Sequence, residues 1–164
     1  DYCKTWPIAS SNIIVVGGPV ANVAAEYFND FTDAYMITPT LSPAIGRDGI
    51  LHVPSCWGGT LTPVWEYPAT SVGYYKGYAV ISTYKDINGT VGFIVWGWSA
   101  DETYFASKWL HEVGIYYLQD LPDCATTIVL EILYEWKGVK YCPPRIYIEE
   151  ILGTISEYLL HVDP

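Results

Sequence analysis

Asn12-Ile13-Ile14-Val15-Val16-Gly17-Gly18-Pro19-Val20-Ala21-Asn22 runs directly into Val23-Ala24-Ala25-Glu26-Tyr27-Phe28, and this stretch decides the fold. Ile13 to Val16 is an unbroken β-branched run, the pattern of a strand buried on both faces. Gly17-Gly18-Pro19 ends it, with two residues free to adopt positive φ and a proline whose φ already suits a helix. Apolar residues then recur at Val20, Val23, Ala24, Tyr27 and Phe28 with a helical period. The stretch predicts one strand-turn-helix unit of an α/β layer.

A second unit follows the same logic. Tyr78 to Tyr84 and Val91 to Trp96 read as two strands around Asn88-Gly89, a dipeptide that favours a type I′ hairpin turn. The second strand ends at Gly97. Ser99 then has capping-box spacing to Glu102, and Asp101 and Glu102 suit the positive end of a helix that runs to about Glu112 and stops at Gly114. At an offset of about 80 positions, Ile14-Val15-Val16-Gly17 falls on Ile94-Val95-Trp96-Gly97, and a helix follows both. Two such blocks are too few for a repeat architecture.

Thr126 to Tyr134 and Arg145 to Ile151 add apolar strands, and Ala34 to Ile37 adds a short one. The expected architecture is α/β: a three-layer-like mixed sheet with flanking helices, including an antiparallel hairpin near 78–96. One domain over 1–164 is expected, with an irregular Pro/Gly-rich insertion at about 38–77 in which Gly49 to Val53 alone resembles a strand.

Composition narrows the function. Half of the 164 residues are hydrophobic, which argues against disorder, and seven Trp and fifteen Tyr suit broad flat contacts. The net charge of −10, with eight Lys and Arg, disfavours nucleic acid and anionic membrane surfaces. No apolar run is long enough for a transmembrane helix, so no membrane span is expected. The chain opens on Asp1, as a processed terminus or a fragment of a longer precursor would.

Cys3, Cys56, Cys124 and Cys142 are an even, widely spaced set without a C-x-x-C pair, which disfavours a zinc site or thioredoxin-like redox motif. Two disulfides in an oxidising compartment fit best, with Cys3–Cys56 and Cys124–Cys142 the favoured pairing of three. Four buried thiols are the alternative. Asn88-Gly89-Thr90 is a glycosylation sequon at a predicted hairpin tip, making Asn88 the candidate for an N-linked glycan.

Candidates for chemistry are weaker. Gly17-Gly18 stands where a dinucleotide fold would bind phosphate, but G-x-G-x-x-G and a Walker Lys are absent and Pro19 removes a donor. A tight turn permitting close helix–sheet packing is the better account. His52, His111 and His161 lack metal-ligand or protease spacing. His111-Glu112 fits a helix-end dipole contact, and Cys56 with His52 is a poor nucleophile–base pair. Asp101-Glu102 and Glu149-Glu150 are conceivable glycosidase carboxylates, although Glu149 and Glu150 would face opposite ways in a strand. No catalytic residue, cofactor or metal is expected.

Four blocks, taken in order, also resemble archaeal surface-layer proteins. Asn12 to Asn22 is similar to their N-I-I-x-V-G-G-P-x-A-N signature, and Tyr78 to Gly92 to a downstream hairpin. Gly97-Trp98-Ser99-Ala100-Asp101-Glu102-Thr103-Tyr104 and Glu150-Ile151-Leu152-Gly153-Thr154-Ile155-Ser156-Glu157 resemble later blocks. The likeness covers 12–30 and 78–157. It implies a non-catalytic role in the protein coat outside the membrane of a thermophilic archaeon, in a chain shorter than such proteins usually are. The sequence therefore points to an extracellular structural subunit that self-assembles or joins other surface proteins in an S-layer or filament. The alternative is a polysaccharide-binding module using Trp57, Trp65 or Trp98 as stacking platforms. A glycoside hydrolase stands third.

Overall fold

The computed structural model describes residues 11–19, 21–29, 31–37, 50–53, 59–61, 64–66, 72–86, 89–121, 125–137, 140–141 and 143–153. The opening run forms β1 (Ile13–Val16) and leads into α1 (Val23–Asn29). A small antiparallel sheet follows, made of β2 (Tyr35–Ile37), β3 (Ile50–Val53) and β4 (Gly59–Leu61). β5 (Val64–Glu66) pairs with the long β6 (Val72–Lys85), which returns as β7 (Val91–Gly97). Then come α2 (Ala100–Trp109), a π-helical turn over Leu110–Gly114, and a last helical turn, α3 (Ile115–Tyr117). The chain returns as β8 (Ala125–Lys137), β9 (Lys140–Tyr141) and β10 (Arg145–Gly153).

The main sheet runs β1-β7-β6-β8-β10, with β5 beside β6 and β9 beside β8. β1 lies parallel to β7, and every other described pairing is antiparallel, so the sheet is mixed. Alternation along the strands sorts its side chains onto two faces. One cluster joins Val15, Tyr78, Val80, Ile94, Trp96 and Val129 to Ala25 and Phe28 of α1. The other joins Ala79, Ile81, Val95, Ile128, Leu130 and Ile132 to Ala106 and Trp109 of α2. The result is the expected three-layer α/β arrangement, a helix on each face of a mixed sheet.

The two strand–helix units lie side by side. Ile14 is opposite Phe93 and Val16 opposite Val95, so the blocks aligned by sequence are neighbours in space. Both strands end at glycines that meet: the Gly17 N–H donates to the Val95 carbonyl at 3.0 Å, and a side chain on Gly18 would point at the Gly97 carbonyl.

Three local expectations change. The helix after Gly97 does not stop at Gly114. Gly114 is itself helical and buried, and a Cβ there would come within 2.7 Å of the Trp109 ring. This glycine serves close packing rather than a positive φ. At the hairpin, the Asp86 N–H donates to the Thr90 carbonyl and the Gly89 N–H to the Asp86 carbonyl, each at 2.8 Å. With Gly89 at φ 86°, that is the pattern of a longer loop closed by a glycine bulge, not a two-residue type I′ turn. The 38–77 region contains β4, β5 and the first residues of β6, which starts at Val72 rather than Tyr78, besides the expected strand. Cys3, Cys56, Cys124, Cys142 and the sequon residue Asn88 lie outside the described residues.

Candidate functional site

The carboxylates considered for catalysis separate. Glu102 is 1 % exposed and closes the capping box of α2: the Ser99 N–H donates to its Oε2 at 2.8 Å, and the Ser99 hydroxyl donates to the same oxygen. The Asp101 N–H donates to Ser99 Oγ at 3.2 Å in return. Thr103 tightens the junction, accepting from the Gly97 N–H at 2.9 Å and donating to the Ser99 carbonyl at 3.0 Å. The Glu102 side chain fills a cradle over Gly77 and Gly97, where any Cβ would come within 2.4–2.5 Å of it. Beside it, burial and then the Glu102 carboxylate push the Tyr134 phenol well above its ordinary value. Asp101 is exposed on the first turn. Glu149 and Glu150 lie on β10 at a register shift between Ile148 and Glu150, so simple alternation does not hold there.

The glycine turn after β1 is occupied by its own chain. The N–H groups of Ala21 and Asn22 donate to the Gly18 carbonyl at 3.1 Å. Asn22 caps α1 by accepting from the Ala24 N–H at 3.0 Å, while its amide donates to the Val16 carbonyl at 3.2 Å. The N–H groups of Ala21, Asn22 and Ala24, which a phosphate at this turn would compete for, are thus engaged within the chain. His111 is exposed on the π turn, whereas the His52 side chain and all of His161 fall outside the described set. Among the described residues, no three of His, Cys, Asp and Glu converge as metal ligands.

The aromatic residues divide by type. Trp96 and Trp109 are buried and Trp98 is half-buried against the α1-side core, while the side chains of Trp57 and Trp65 are not described. Tyr78 and Tyr134 are buried as well, but six tyrosines, Tyr27, Tyr35, Tyr104, Tyr116, Tyr117 and Tyr147, are exposed. The broad-contact expectation therefore rests on Tyr.

Two exposed apolar features stand out. Ile115, Tyr116, Tyr117 and Leu118 are exposed in succession at the end of the π turn, with Tyr116 at 69 %. Irregular helical turns of this kind recur at functional sites. Sequence reasoning missed the extension because Gly114 looks like a stop. The available signal was the apolar run immediately after it, too dense for a solvated loop.

Between this extension and β10 lies an open groove of about 580 Å³, lined by Phe105, Trp109, Val113, Tyr117, Ile146 and Ile148, with Pro143 and Pro144 at one end. Trp109 and Tyr117 stack in it, with ring centres 6.1 Å apart and planes 24° apart. Its charged lining is a self-compensating Lys108–Glu112 pair at 3.9 Å. The second feature is the far edge of the sheet. Among the described residues β1 pairs with β7 alone, and its Ile14 and Val16 are 75 % and 54 % exposed.

Neither family models, nor curated proteins, nor solved structures give a match to this chain. No helix among the described residues is long and apolar enough to cross a membrane.

Proposed function

We propose that this chain is a structural, non-catalytic cell-surface protein: a subunit or processed domain that assembles with copies of itself or other coat proteins. The observation that carries this is a mixed sheet whose β1 edge displays Ile14 and Val16 without a charge, a Pro or a bulge within the strand. Such edges are normally blunted, because unpaired strand backbone recruits other chains. The exposed Ile115–Leu118 run adds apolar surface suited to contact. An archaeal S-layer or extracellular filament as the setting comes from the sequence resemblance, and an extracellular home from the cysteine pattern and sequon.

Sedimentation velocity across a concentration series, with electron microscopy of the native protein, tests this. Concentration-dependent multimers, sheets or filaments are expected, and a monomer at every concentration overturns it.

One observation favours a second reading, a polysaccharide-binding module. Tyr117 is half-exposed and stacked on Trp109 beside Lys108 and Glu112, which is a surface a sugar ring can cover. That reading expects a monomer whose tryptophan fluorescence changes with added cell-surface polysaccharide.

A further inference from the structure

We infer that the groove between the α2 extension and β10 receives β1 of a second copy, joined antiparallel to β10 so that the sheet continues from one molecule into the next. This rests on the assembly reading above and names its interface.

Strand direction comes first. β1 and β7 run together, and each step from β7 to β6, β8 and β10 reverses direction, so β10 runs opposite to β1. A second copy displaced along the sheet without flipping therefore sets its β1 antiparallel to β10. Both edges are open among the described residues, since β10 pairs with β8 alone.

The faces then match. Val15 and partly buried Ile13 belong to the α1-side core, so Ile14 and Val16 project on the α2 side. On β10, Ile146 and Ile148 pack toward the α2-side core and line the groove. In a continued sheet the faces coincide, and Ile14 and Val16 of the incoming copy stand beside Ile146 and Ile148, over Val113 and Tyr117.

Length and charge select the same partner. The bulge after Ile148 leaves Arg145–Ile148 as the regular stretch of β10 that borders the groove, four residues against the four of Ile13–Val16. Beyond the bulge the side chains change face, with Leu152 in the α1-side core, so the match to β1 is confined to that stretch. From Ser11 to Ala25 the chain carries no charged residue, within a protein of net charge −10. An uncharged strand approaches Glu149 and Glu150 without the like-charge opposition that most other surfaces of this chain would bring. The contact is of the head-to-tail type, using different patches on the two copies.

Mixing two blocked variants tests it. Ile14→Lys charges the donor strand and leaves the groove intact, whereas Val113→Lys charges the groove and leaves β1 intact. Both positions are exposed, and a circular dichroism melt of each variant serves to check that it folds. Val16→Lys and Tyr117→Lys form an independent second pair. Each variant alone is expected to self-associate at least about tenfold more weakly than the parent. An equimolar mixture of complementary variants is expected to form 1:1 dimers, seen by sedimentation velocity, because one good strand meets one good groove. Variants that assemble like the parent, or a mixture that stays monomeric, overturn this interface while parental assembly keeps the broader reading. A parent that is monomeric at every concentration removes both.

Discussion

β1–α1 and β7–α2 run in the same direction, end in glycines that touch, and enter their helices through side-chain caps, yet they occupy unlike places. β7 lies inside the sheet and is followed by a ten-residue helix with a reciprocal capping box. β1 lies at the margin and is followed by a seven-residue helix capped by Asn22 alone. At the inner junction the glycines make room for a buried carboxylate, and at the outer one they make a tight turn. One local sequence logic therefore serves two ends: a locked interior joint and an open border.

Substituting the glycines should split the two units most widely. A Cβ on Gly97 would lie within 2.4 Å of the Glu102 Cβ and 2.6 Å of backbone, so Gly97→Ala is expected to cost about 3 kcal/mol in urea unfolding. At Gly18 the nearest atom is an ordinary 3.5 Å away, and Gly18→Ala should cost less than about 1 kcal/mol. Equal losses would show that the inner joint is no tighter than the outer one. Gly17, at φ 112°, falls between them, and Gly17→Ala should cost about 1–2 kcal/mol through backbone strain.

The caps sharpen the contrast on a smaller scale. Ser99→Ala removes a cap and also a donor to the buried Glu102 carboxylate, so about 2 kcal/mol is expected. Asn22→Ala removes a half-buried cap and an exposed hydrogen bond to the Val16 carbonyl, and should cost about 1 kcal/mol. Thermal or urea unfolding of the pair checks the order, and a larger loss at Asn22 would reverse the assignment of the locked joint.

The smallest effect is confined to high pH. The Tyr134 phenol is held above its ordinary value of 10.0 by burial and by Glu102. The folded state therefore keeps this proton more tightly than the unfolded chain. Its contribution is complete below the unfolded value and is lost as pH rises beyond it toward the folded value. Unfolding followed across the alkaline range should show a shallower decline for Tyr134→Phe than for the parent.

Much of the inner unit could be read from residues alone. Ser99 and Glu102 at capping-box spacing and the two strands of the hairpin rest on local chemistry and land where expected, although the turn between the strands is not the type I′ that Asn88-Gly89 signals. Gly114 misled because a glycine after a periodic stretch signals a helix stop, whereas here the missing Cβ admits the Trp109 ring. Such a packing requirement is set by a partner five residues back and has no local signature. Ile13 to Val16 misled in another way. Its composition predicts burial on both faces, but Ile14 and Val16 are exposed at the sheet margin, since composition cannot reveal that a strand has a neighbour on one side only. The groove was illegible because it forms between two segments, 105–117 and 143–148, that are distant in sequence, neither of which is unusual by itself.

The handedness of the sheet carries a consequence for any coat built this way. Neighbouring strands rotate by about 20–25° at each step, and one copy joined through β10 to the next β1 contributes five steps. Each added molecule thus turns by roughly 100–125°, giving about three molecules per revolution. Growth along this direction makes a wound thread. A planar lattice would need a lateral contact that cancels the rotation, and Tyr116, exposed on the α2 extension and outside the groove, offers surface for bundling such threads side by side.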